Sequence, residues 1–341
     1  SHGRHYKNAQ GKWAWQRPPL FCTTEDLFTQ SFVVPYIIPM LENAGAVVYT
    51  ARERDWQTNG VIVKCGTDGY REDGTWSEYV AGGFQADSIR ILPDSLRVTT
   101  RKAMAGNGPG IPMSTAFWIP DIPRDGDYGV YVTYQSDSSS VDDARYIVFH
   151  TGGSTTFRVN QQMGGGTWVY LGTFHFKKGQ SPRGMVSLDN SSGMYGTVSA
   201  DAVRFGGGTM TFESHGLELT APLYNMGSRY YTRFAGAPDS VYSKYQGDDE
   251  YREDIWTRPY VSNWLSGGSV FNQANPGLGV PLELYFALHT DAGYTYGDTL
   301  YGSLGICTTD FNDGLLGQGH PRDVSRDLTD MVLTGLRRDL E

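Results

Sequence analysis

The 341-residue sequence contains only three cysteines, Cys22, Cys65 and Cys307. Three cysteines form at most one disulfide, which excludes a small disulfide-stabilised scaffold. The chain also lacks any run of about 18 apolar residues, so no membrane-spanning helix is expected. Basic residues number 28 against 37 acidic ones. The net charge of −9 lacks the positive footprint of a nucleic-acid-binding protein, and we expect no nucleic-acid partner.

Glycine and aromatic residues are abundant, with 43 glycines, 22 tyrosines and an aromatic content of 13%. Glycine favours turns, and flat aromatic rings suit stacking on sugar rings. The same composition is typical of a β-rich protein without a sugar ligand, so both interpretations stay open. The length exceeds one typical domain, and we expect two domains.

The N-terminal part predicts a helix followed by a strand. Residues 24–46 begin with Thr24 as an N-cap, carry acidic residues in the first turn and apolar residues at helical spacing, and close near Gly45. Two prolines within this stretch are expected to kink or interrupt the helix. The β-branched run at 46–50 then predicts a short strand.

The middle of the chain, from about residue 89 to 205, changes to short alternating segments separated by Gly, Asp, Ser and Asn. Period-two alternation at this spacing is typical of an antiparallel β-sandwich. The clearest of these segments are 128–134, 144–150, 155–161, 167–176, 184–190 and 201–205.

Mixed patterning returns after the glycines at 206–208. Residues 279–289 predict a buried strand, and residues 323–340 predict an amphipathic helix. Helices and strands on both sides of an all-β block indicate an α/β fold interrupted by an inserted antiparallel β-sandwich. The predicted domains are a split α/β domain, 1–64 with 209–341, and an inserted sandwich, 65–208.

Three residues are candidate metal ligands: His2, Glu25 at the predicted helix start, and His289 at the predicted strand end. Their spacing is too long for a local zinc motif, but helix starts and strand ends converge at one rim of an α/β sheet. Zinc held by two imidazoles and one carboxylate would lower the pKa of bound water to about 7, which suits amide hydrolysis. Each residue also has a structural interpretation: His2 as part of a disordered terminus, Glu25 as a favourable charge at a helix N-terminus, and His289 as a strand-end histidine.

The segment 24–55 resembles the glutamate-bearing segment of zinc-dependent N-acetylmuramoyl-L-alanine amidases. In that family a Glu, an amphipathic helix, a Gly, a short strand, and then Thr, Arg and Asp follow one another. The same places are filled here by Glu25, Gly45, Thr50, Arg52 and Asp55.

Ser1-His2-Gly3 resembles the His-Gly metal motif of the same family, and residues 288–292 resemble its His-Ala-Asn strand end. The resemblance implies zinc held by His2, Glu25 and His289, in a secreted, periplasmic or cell-envelope hydrolase. Its substrate would be the amide bond between N-acetylmuramic acid and L-alanine in peptidoglycan. Arg17 and Asp291 are candidates for orienting that substrate. The catalytic base stays unassigned.

The β-rich block is similar to the golvesin-type C-terminal domain, which also occurs in proteins labelled xanthan lyase. The similarity lies in residues 128–134, 159–161, 168–176 and 201–205. It implies a carbohydrate-associated β-sandwich with a possible glycan ligand. Two alternatives to the amidase therefore stay open: a non-catalytic glycan-binding protein, in which Trp168 and Tyr170 stack on sugar, and a polysaccharide lyase.

Overall fold

The computed structural model begins with a hairpin, β1 (His5–Lys7) and β2 (Lys12–Ala14). It is followed by helix α1 (Glu25–Phe32), a π-helical turn (Val33–Ile37) and helix α2 (Ile38–Asn43). The two prolines interrupt the helical stretch as expected, since one lies in the π-turn and the other at the start of α2. The structure describes residues 2–19, 22–79, 84, 100–267, 276–290, 302–316 and 319–340.

Short antiparallel strands follow. In chain order they are β3 (Val61–Lys64), β4 (Tyr70–Asp73), β5 (Ser77–Glu78), β6 (Arg101–Ala105), β7 (Thr115–Trp118), β8 (Asp121–Ile122), β9 (Gly126–Thr133), β10 (Ala144–His150), β11 (Gly153–Val159), β12 (Val169–Phe176), β13 (Gly179–Gln180), β14 (Val186–Asp189), β15 (Gly196–Ala200) and β16 (Ala202–Phe205).

Two of the resulting sheets face each other and form a β-sandwich. The first has the strand order β11-β10-β14-β7-β4 and the second β12-β9-β16-β3. A smaller sheet, β15-β6-β5, and the pair β13-β8 extend the edges. Alternate residues of β10 point inward, so Ala144, Tyr146 and Val148 join the core between the sheets. The predicted antiparallel β-sandwich is confirmed.

The C-terminal part adds a hairpin and helices. The hairpin is β17 (Thr209–Ser214) and β18 (Leu217–Pro222). The helices are α3 (Ser228–Phe234), α4 (Asp239–Tyr242), α5 (Glu250–Ser266) and α6 (Asp323–Leu340). Helix α6 lies where the apolar spacing predicts it, but its apolar residues Leu328, Val332 and Leu336 are each about 40% exposed.

The predicted α/β fold is wrong, because the described residues fold mainly as antiparallel β-structure. Residues 46–50 and 279–289, the two predicted strands of the α/β domain, are irregular and join no sheet. A run of apolar residues becomes a strand only when a neighbouring strand satisfies its backbone groups. No described segment does so here, and Leu284, Tyr285 and Phe286 stay about half exposed. The division into 1–64 with 209–341 and 65–208 stays a prediction.

Strands β9 and β16 are buried on both faces. Val130 and Val132 of β9 face the sandwich core, whereas Tyr131 faces a second apolar cluster shared with α3. Tyr230 and Phe234 of α3 belong to that second cluster. The outer face of one sandwich sheet is therefore covered by the helical part of the chain.

A buried ion pair lies in this contact. Arg204 of β16 donates from Nη1 to Glu53, and both side chains are almost fully buried. Glu53 also accepts hydrogen bonds from the Tyr131 hydroxyl (2.8 Å) and the Asp55 backbone N–H (2.8 Å). Burial disfavours the charge of Arg204, but the Glu53 carboxylate outweighs burial and raises the pKa of Arg204.

Aromatic rings surround the same guanidinium. The Arg204 carbon Cζ lies 3.7 Å from the ring centre of Tyr131, 5.0 Å from Phe234 and 5.3 Å from Trp168. The Nε and Nη2 atoms of Arg204 have no hydrogen-bond partner among the described residues, so cation–π attraction is the interaction available to them.

We expect Glu53→Gln to destabilise the protein by about 3–5 kcal/mol, because it leaves the Arg204 charge buried without a counter-ion. Adding Arg204→Met should recover part of this loss. The measurement is urea unfolding followed by circular dichroism. The control is Glu72→Gln, which breaks the partly exposed pair with Arg101 and should cost about 1 kcal/mol or less. Similar losses for the two Gln variants would contradict this account.

Asp201 provides a pH-dependent test of the same region. It accepts a hydrogen bond from the backbone N–H of Phe84 and lies 3.9 Å from the Lys64 ammonium. Burial outweighs both partners and raises its pKa from 3.8 to about 6. The ionised carboxylate therefore destabilises the fold, and stability should fall as the pH rises from about 4 to about 6.

We expect Asp201→Asn to remove this dependence. Relative to wild type, the variant should gain about 3 kcal/mol of unfolding free energy between pH 4 and pH 7, because each pKa unit corresponds to about 1.4 kcal/mol. Urea titrations at four pH values measure the gain. The exposed Asp121→Asn serves as the control and should follow wild type. A constant difference between Asp201→Asn and wild type across this range would rule out the assigned pKa.

Candidate functional site

Helix α5 carries three buried carboxylates, Glu250, Glu253 and Asp254. Each binds a different part of the chain. Glu250 accepts from the Tyr6 backbone N–H and from the Ser214 hydroxyl, and Glu253 accepts from the Arg229 guanidinium at 2.6 Å. The third, Asp254, binds the N-terminal segment. Helix α5 thus fixes the position of the predicted site residues near the start of the chain.

His2 is buried against α5. Its Nδ1 lies 2.7 Å from Oδ2 of Asp254, its Nε2 lies 3.0 Å from Nη2 of Arg258, and its ring stacks on Tyr251. Burial lowers the pKa of His2 despite the nearby carboxylate. For Asp254, burial is outweighed by the hydrogen bond from His2 and the charge of Arg258, so its pKa is lowered. We therefore assign a neutral His2 that donates from Nδ1 to an ionised Asp254 and accepts at Nε2 from Arg258.

Glu25, His289 and Arg17 come together at the start of α1. Oε1 of Glu25 lies 3.5 Å from Nδ1 of His289 and accepts the backbone N–H of Thr290 at 3.1 Å. Nε of Arg17 donates to Oε2 of Glu25 at 3.3 Å. Burial opposes ionisation of Glu25, but the contacts from His289 and Thr290 prevail and lower its pKa. The other predicted substrate residue, Asp291, lies outside the described residues.

The predicted zinc ligands do not form one coordination sphere. Glu25 and His289 face each other, whereas both ring nitrogens of His2 are occupied by Asp254 and Arg258. Within the described ranges, no three His, Cys, Asp or Glu side chains are grouped so as to hold a metal ion. In this arrangement the three residues do not fit a zinc site. Zinc binding by His2, Glu25 and His289 stays a proposal, which a metal assay tests.

The two partners of His2, Asp254 and Arg258, were not predicted from the sequence. They lie on a helix without a clear apolar stripe, and the main local signal is the charge-rich run Glu-Tyr-Arg-Glu-Asp at 250–254. A charge run of this kind usually forms a solvated helix face. Here the acidic side chains are buried because arginines, tyrosines and backbone N–H groups from distant segments surround them.

Trp168 and Tyr170, the predicted sugar-stacking pair, are not available for stacking. Trp168 is only 4% exposed and packs on Phe84 and Phe234. The ring of Tyr170 is covered by the guanidinium of Arg54 at 3.7 Å. The cavity beside these residues encloses about 30 Å³, enough for one or two water molecules and too small for a sugar ring.

The most exposed aromatic side chain in the described part of the sandwich is Tyr195, at 73%. The pairing of Gly196 with Ala105 places Tyr195 opposite Gly106. A Cβ atom on Gly106 would lie 3.7 Å from the Tyr195 ring and 2.8 Å from Cδ1 of Ile111, so the absent side chain leaves room for both. Met104 and Met194 are also exposed. We name the surface formed by Met104, Ile111, Met194 and Tyr195 the rim platform.

Hydrogen bonds hold both loops of the rim platform, beginning with the segment that follows β6. The Asn190 side chain accepts from the Ser114 N–H at 2.9 Å and donates to the carbonyls of Met104 (2.8 Å) and Pro112 (2.9 Å). The backbone carbonyl of Asn190 also accepts from the Gly106 N–H at 3.0 Å. On the other loop, the backbone N–H of Gly193 donates to Asp143 at 2.8 Å, and Gly196 pairs with Ala105. The Tyr195 ring is therefore presented to solvent from a backbone held on both sides, which lowers the entropic cost of binding.

Comparison with known proteins concerns mainly this sandwich. Residues 99–207 match the Golvesin C-terminal domain family. The xanthan lyase of Bacillus sp. (strain GL1) is 34% identical over 88 residues, which are 26% of this chain and 10% of that protein. The solved Paenibacillus xanthan lyase is 26% identical with a TM-score of 0.34, over 43% of this chain and 13% of that chain.

An exo-β-1,3-galactanase from Phanerochaete chrysosporium aligns at 12% identity and a TM-score of 0.28, over 43% of this chain and 29% of that one. The present chain spans about a tenth of the length of the curated relative that it matches. The similarity to the golvesin C-terminal domain predicted from residues 128–205 is confirmed.

The prediction of an N-acetylmuramoyl-L-alanine amidase is wrong. The relatives are polysaccharide-acting proteins, and the α/β sheet whose rim was to gather the catalytic residues does not form in the described part of the chain. No described helix is both long enough and apolar enough to cross a bilayer. The sandwich is therefore the part of the chain that is similar to a known protein family.

Metal analysis tests the zinc proposal. If His2, Glu25 and His289 hold zinc, dialysed protein should retain about one zinc ion per chain, and His2→Ala and Glu25→Ala should lose it. Arg258 would have to leave Nε2 of His2 for the metal to bind. The measurement is elemental analysis, with the exposed His175→Ala as the control. Zinc-free wild-type protein after incubation with zinc and dialysis would overturn the proposal.

Proposed function

We propose that this protein binds glycans through its β-sandwich, with the rim platform as the contact surface. The observation that carries the proposal is Tyr195, a ring 73% exposed between the hydrogen-bonded Gly193 and Gly196. Tyr195 lies within residues 99–207, which match the Golvesin C-terminal domain family, and the similar proteins act on polysaccharides. An exposed aromatic ring on a rigid backbone is a suitable partner for the apolar face of a pyranose.

Polar groups beside the rim platform provide hydrogen-bonding partners for the hydroxyls of a sugar. The thioether of Met194 receives weak hydrogen bonds from the Asp142 N–H at 3.5 Å and the Gln162 amide at 3.9 Å. Asp142 and Gln162 therefore lie next to the apolar surface. A sugar presents an apolar C–H face and a ring of hydroxyls, so a binding surface must combine both characters.

Lyase activity is the less supported alternative. The xanthan lyase match covers a tenth of that protein, which is too small a part to support the same activity in this chain. A secreted, periplasmic or cell-envelope location fits a glycan-binding role, and we propose it together with that role. Peptidoglycan belongs among the candidate glycans to be tested.

We expect Tyr195→Ala to weaken glycan binding about tenfold or more, because the stacking surface is removed while the buried loop contacts are kept. Affinity electrophoresis against xanthan, β-1,3-galactan, peptidoglycan and neutral glucans gives the measurement. Tyr36→Ala, which removes a similarly exposed tyrosine from the π-helical turn, is the matched control and should bind as wild type. Unchanged binding by Tyr195→Ala to every glycan that wild type retains would disprove the role of the platform.

A further inference from the structure

Helix α1 turns its polar residues inward and its apolar residues outward. Its buried residues are Asp26, Thr29 and Gln30, whereas Phe28 and Phe32 are 43% and 46% exposed. A surface helix of a globular protein normally has the opposite orientation, with its apolar side against the core. An apolar helix side that faces solvent indicates a contact surface for another molecule.

Hydrogen bonds hold α1 in this orientation. Oδ2 of Asp26 accepts from Nε1 of Trp15 at 3.2 Å. The Gln30 amide donates to the Tyr224 carbonyl at 3.0 Å. Rotating α1 to bury Phe28 would break both bonds and leave buried polar groups without partners, which costs more than the exposed ring. The apolar side therefore stays outside while the inner side is folded.

The exposed apolar side continues through the π-helical turn into α2. Tyr36 is 63% and Met40 71% exposed, and with Phe28 and Phe32 they recur at every fourth position. Four residues exceed one turn of an α-helix and fall short of one turn of a π-helix, so the π-turn keeps the row on one side. The sequence from 27 to 41 contains no charged residue. We name the surface formed by Phe28, Phe32, Tyr36 and Met40 the α1 face.

Helix α6 carries a second apolar row at every fourth position, whose members are each between 39% and 49% exposed: Val324, Leu328, Val332 and Leu336. Met331 lies beside this row and is 73% exposed. Another side of α6 packs closely on the 302–316 segment, since a Cβ atom on Gly305 would clash with Thr329. This contact turns the apolar row outward. We name the row together with Met331 the α6 face.

The α6 face includes a glycine that the described contacts of the chain do not explain. Gly335 lies four residues after Met331 and three after Val332, so it shares their side of the helix. A glycine inside a helix destabilises it relative to alanine. A Cβ atom on Gly335 would meet no atom within 4 Å, so no close approach within the chain requires its absence. The missing side chain leaves a groove in which a partner side chain can pack.

The two faces match in spacing, length and character. Each row runs along about 18 Å of helix. Rows at every fourth position are the ridges that interdigitate in the commonest class of helix packing. A membrane surface is a poor partner for the α1 face, because helices that lie on membranes are rich in Lys and Arg, and residues 25–43 contain neither.

We propose that two copies of this chain form a dimer in which α6 of each copy packs on the α1 face of the other. Large side chains that are half exposed offer on the order of 100 Å² each, so one pair of faces covers on the order of 900 Å². Two such pairs, related by a two-fold axis, reach the roughly 1,200–2,000 Å² that stable interfaces bury. The rim platform lies outside both faces, so the glycan affinity of each chain does not depend on this dimer.

Sedimentation velocity at micromolar protein concentrations tests the proposal. We expect wild type to sediment with twice the 37.7 kDa mass of the chain and to dissociate on dilution. Phe32→Lys and Val332→Glu should each weaken the dimer about a hundredfold or more, because each places an unpaired charge in both contacts. The matched control is Ile255→Lys, which changes a 38% exposed residue of α5 and should sediment as wild type. Circular dichroism verifies the fold of each variant.

An equal mixture of Phe32→Lys and Val332→Glu tests which faces meet. Their heterodimer has one native contact and one contact in which the introduced charges are opposite. It should therefore form at concentrations where each variant alone is monomeric. If α1 paired with α1, or α6 with α6, one of the two variants would dimerise as wild type, and the assignment of the faces would fail.

Gly335→Gln separates association from folding. It should raise the melting temperature of dilute, monomeric protein by about 1–2 °C, because glutamine favours the helix more than glycine does. It should also weaken the dimer about tenfold, because its side chain fills the groove. An unweakened dimer in this variant would contradict the role of the groove.

Wild-type protein that stays monomeric at every concentration would overturn the proposal, and particles that grow beyond a dimer would overturn the two-fold arrangement. Phosphatidylcholine vesicles provide the last arm. If monomeric wild type cosediments with the vesicles and Phe32→Lys does not, the α1 face binds lipid, and the second copy is the wrong partner.

Discussion

The Arg204–Glu53 pair is the interaction on which the arrangement of this protein depends. Arg204 points away from the sandwich core, and its charge can be buried only if a carboxylate and a set of π-faces are brought to it. Glu53 provides the carboxylate, and Tyr131, Trp168 and Phe234 provide the rings. The pair therefore ties the outer face of the sandwich to the 52–55 segment and to α3.

The same principle organises the other end of the molecule. Helix α5 has a polar sequence but a buried face, because Glu250, Glu253 and Asp254 each meet a donor from a distant segment. These carboxylates hold the N-terminal segment, α3 and the 243–247 loop in one structure. Glu253 also connects the interior to the surface, since the loop it fixes carries Lys244.

Burial decides which aromatic residues can meet a ligand. Trp168 and Tyr170 lie on the sheet face that the helices cover, so their rings stabilise the packing between sheet and helices. Tyr195 lies beyond the covered faces, opposite a glycine, and its ring is open to solvent.

The amino-acid sequence by itself determined the β-sandwich, the interrupted helix at 25–43 and helix α6, because strand alternation and helical spacing are local patterns that neighbouring residues set. It did not determine whether 46–50 and 279–289 become strands, since an apolar run pairs only if a distant strand lies beside it. Nor did it reveal that His2 binds Asp254, 252 positions away, or that Trp168 is covered. Those outcomes depend on which faces meet after folding, and only the tertiary structure decided them.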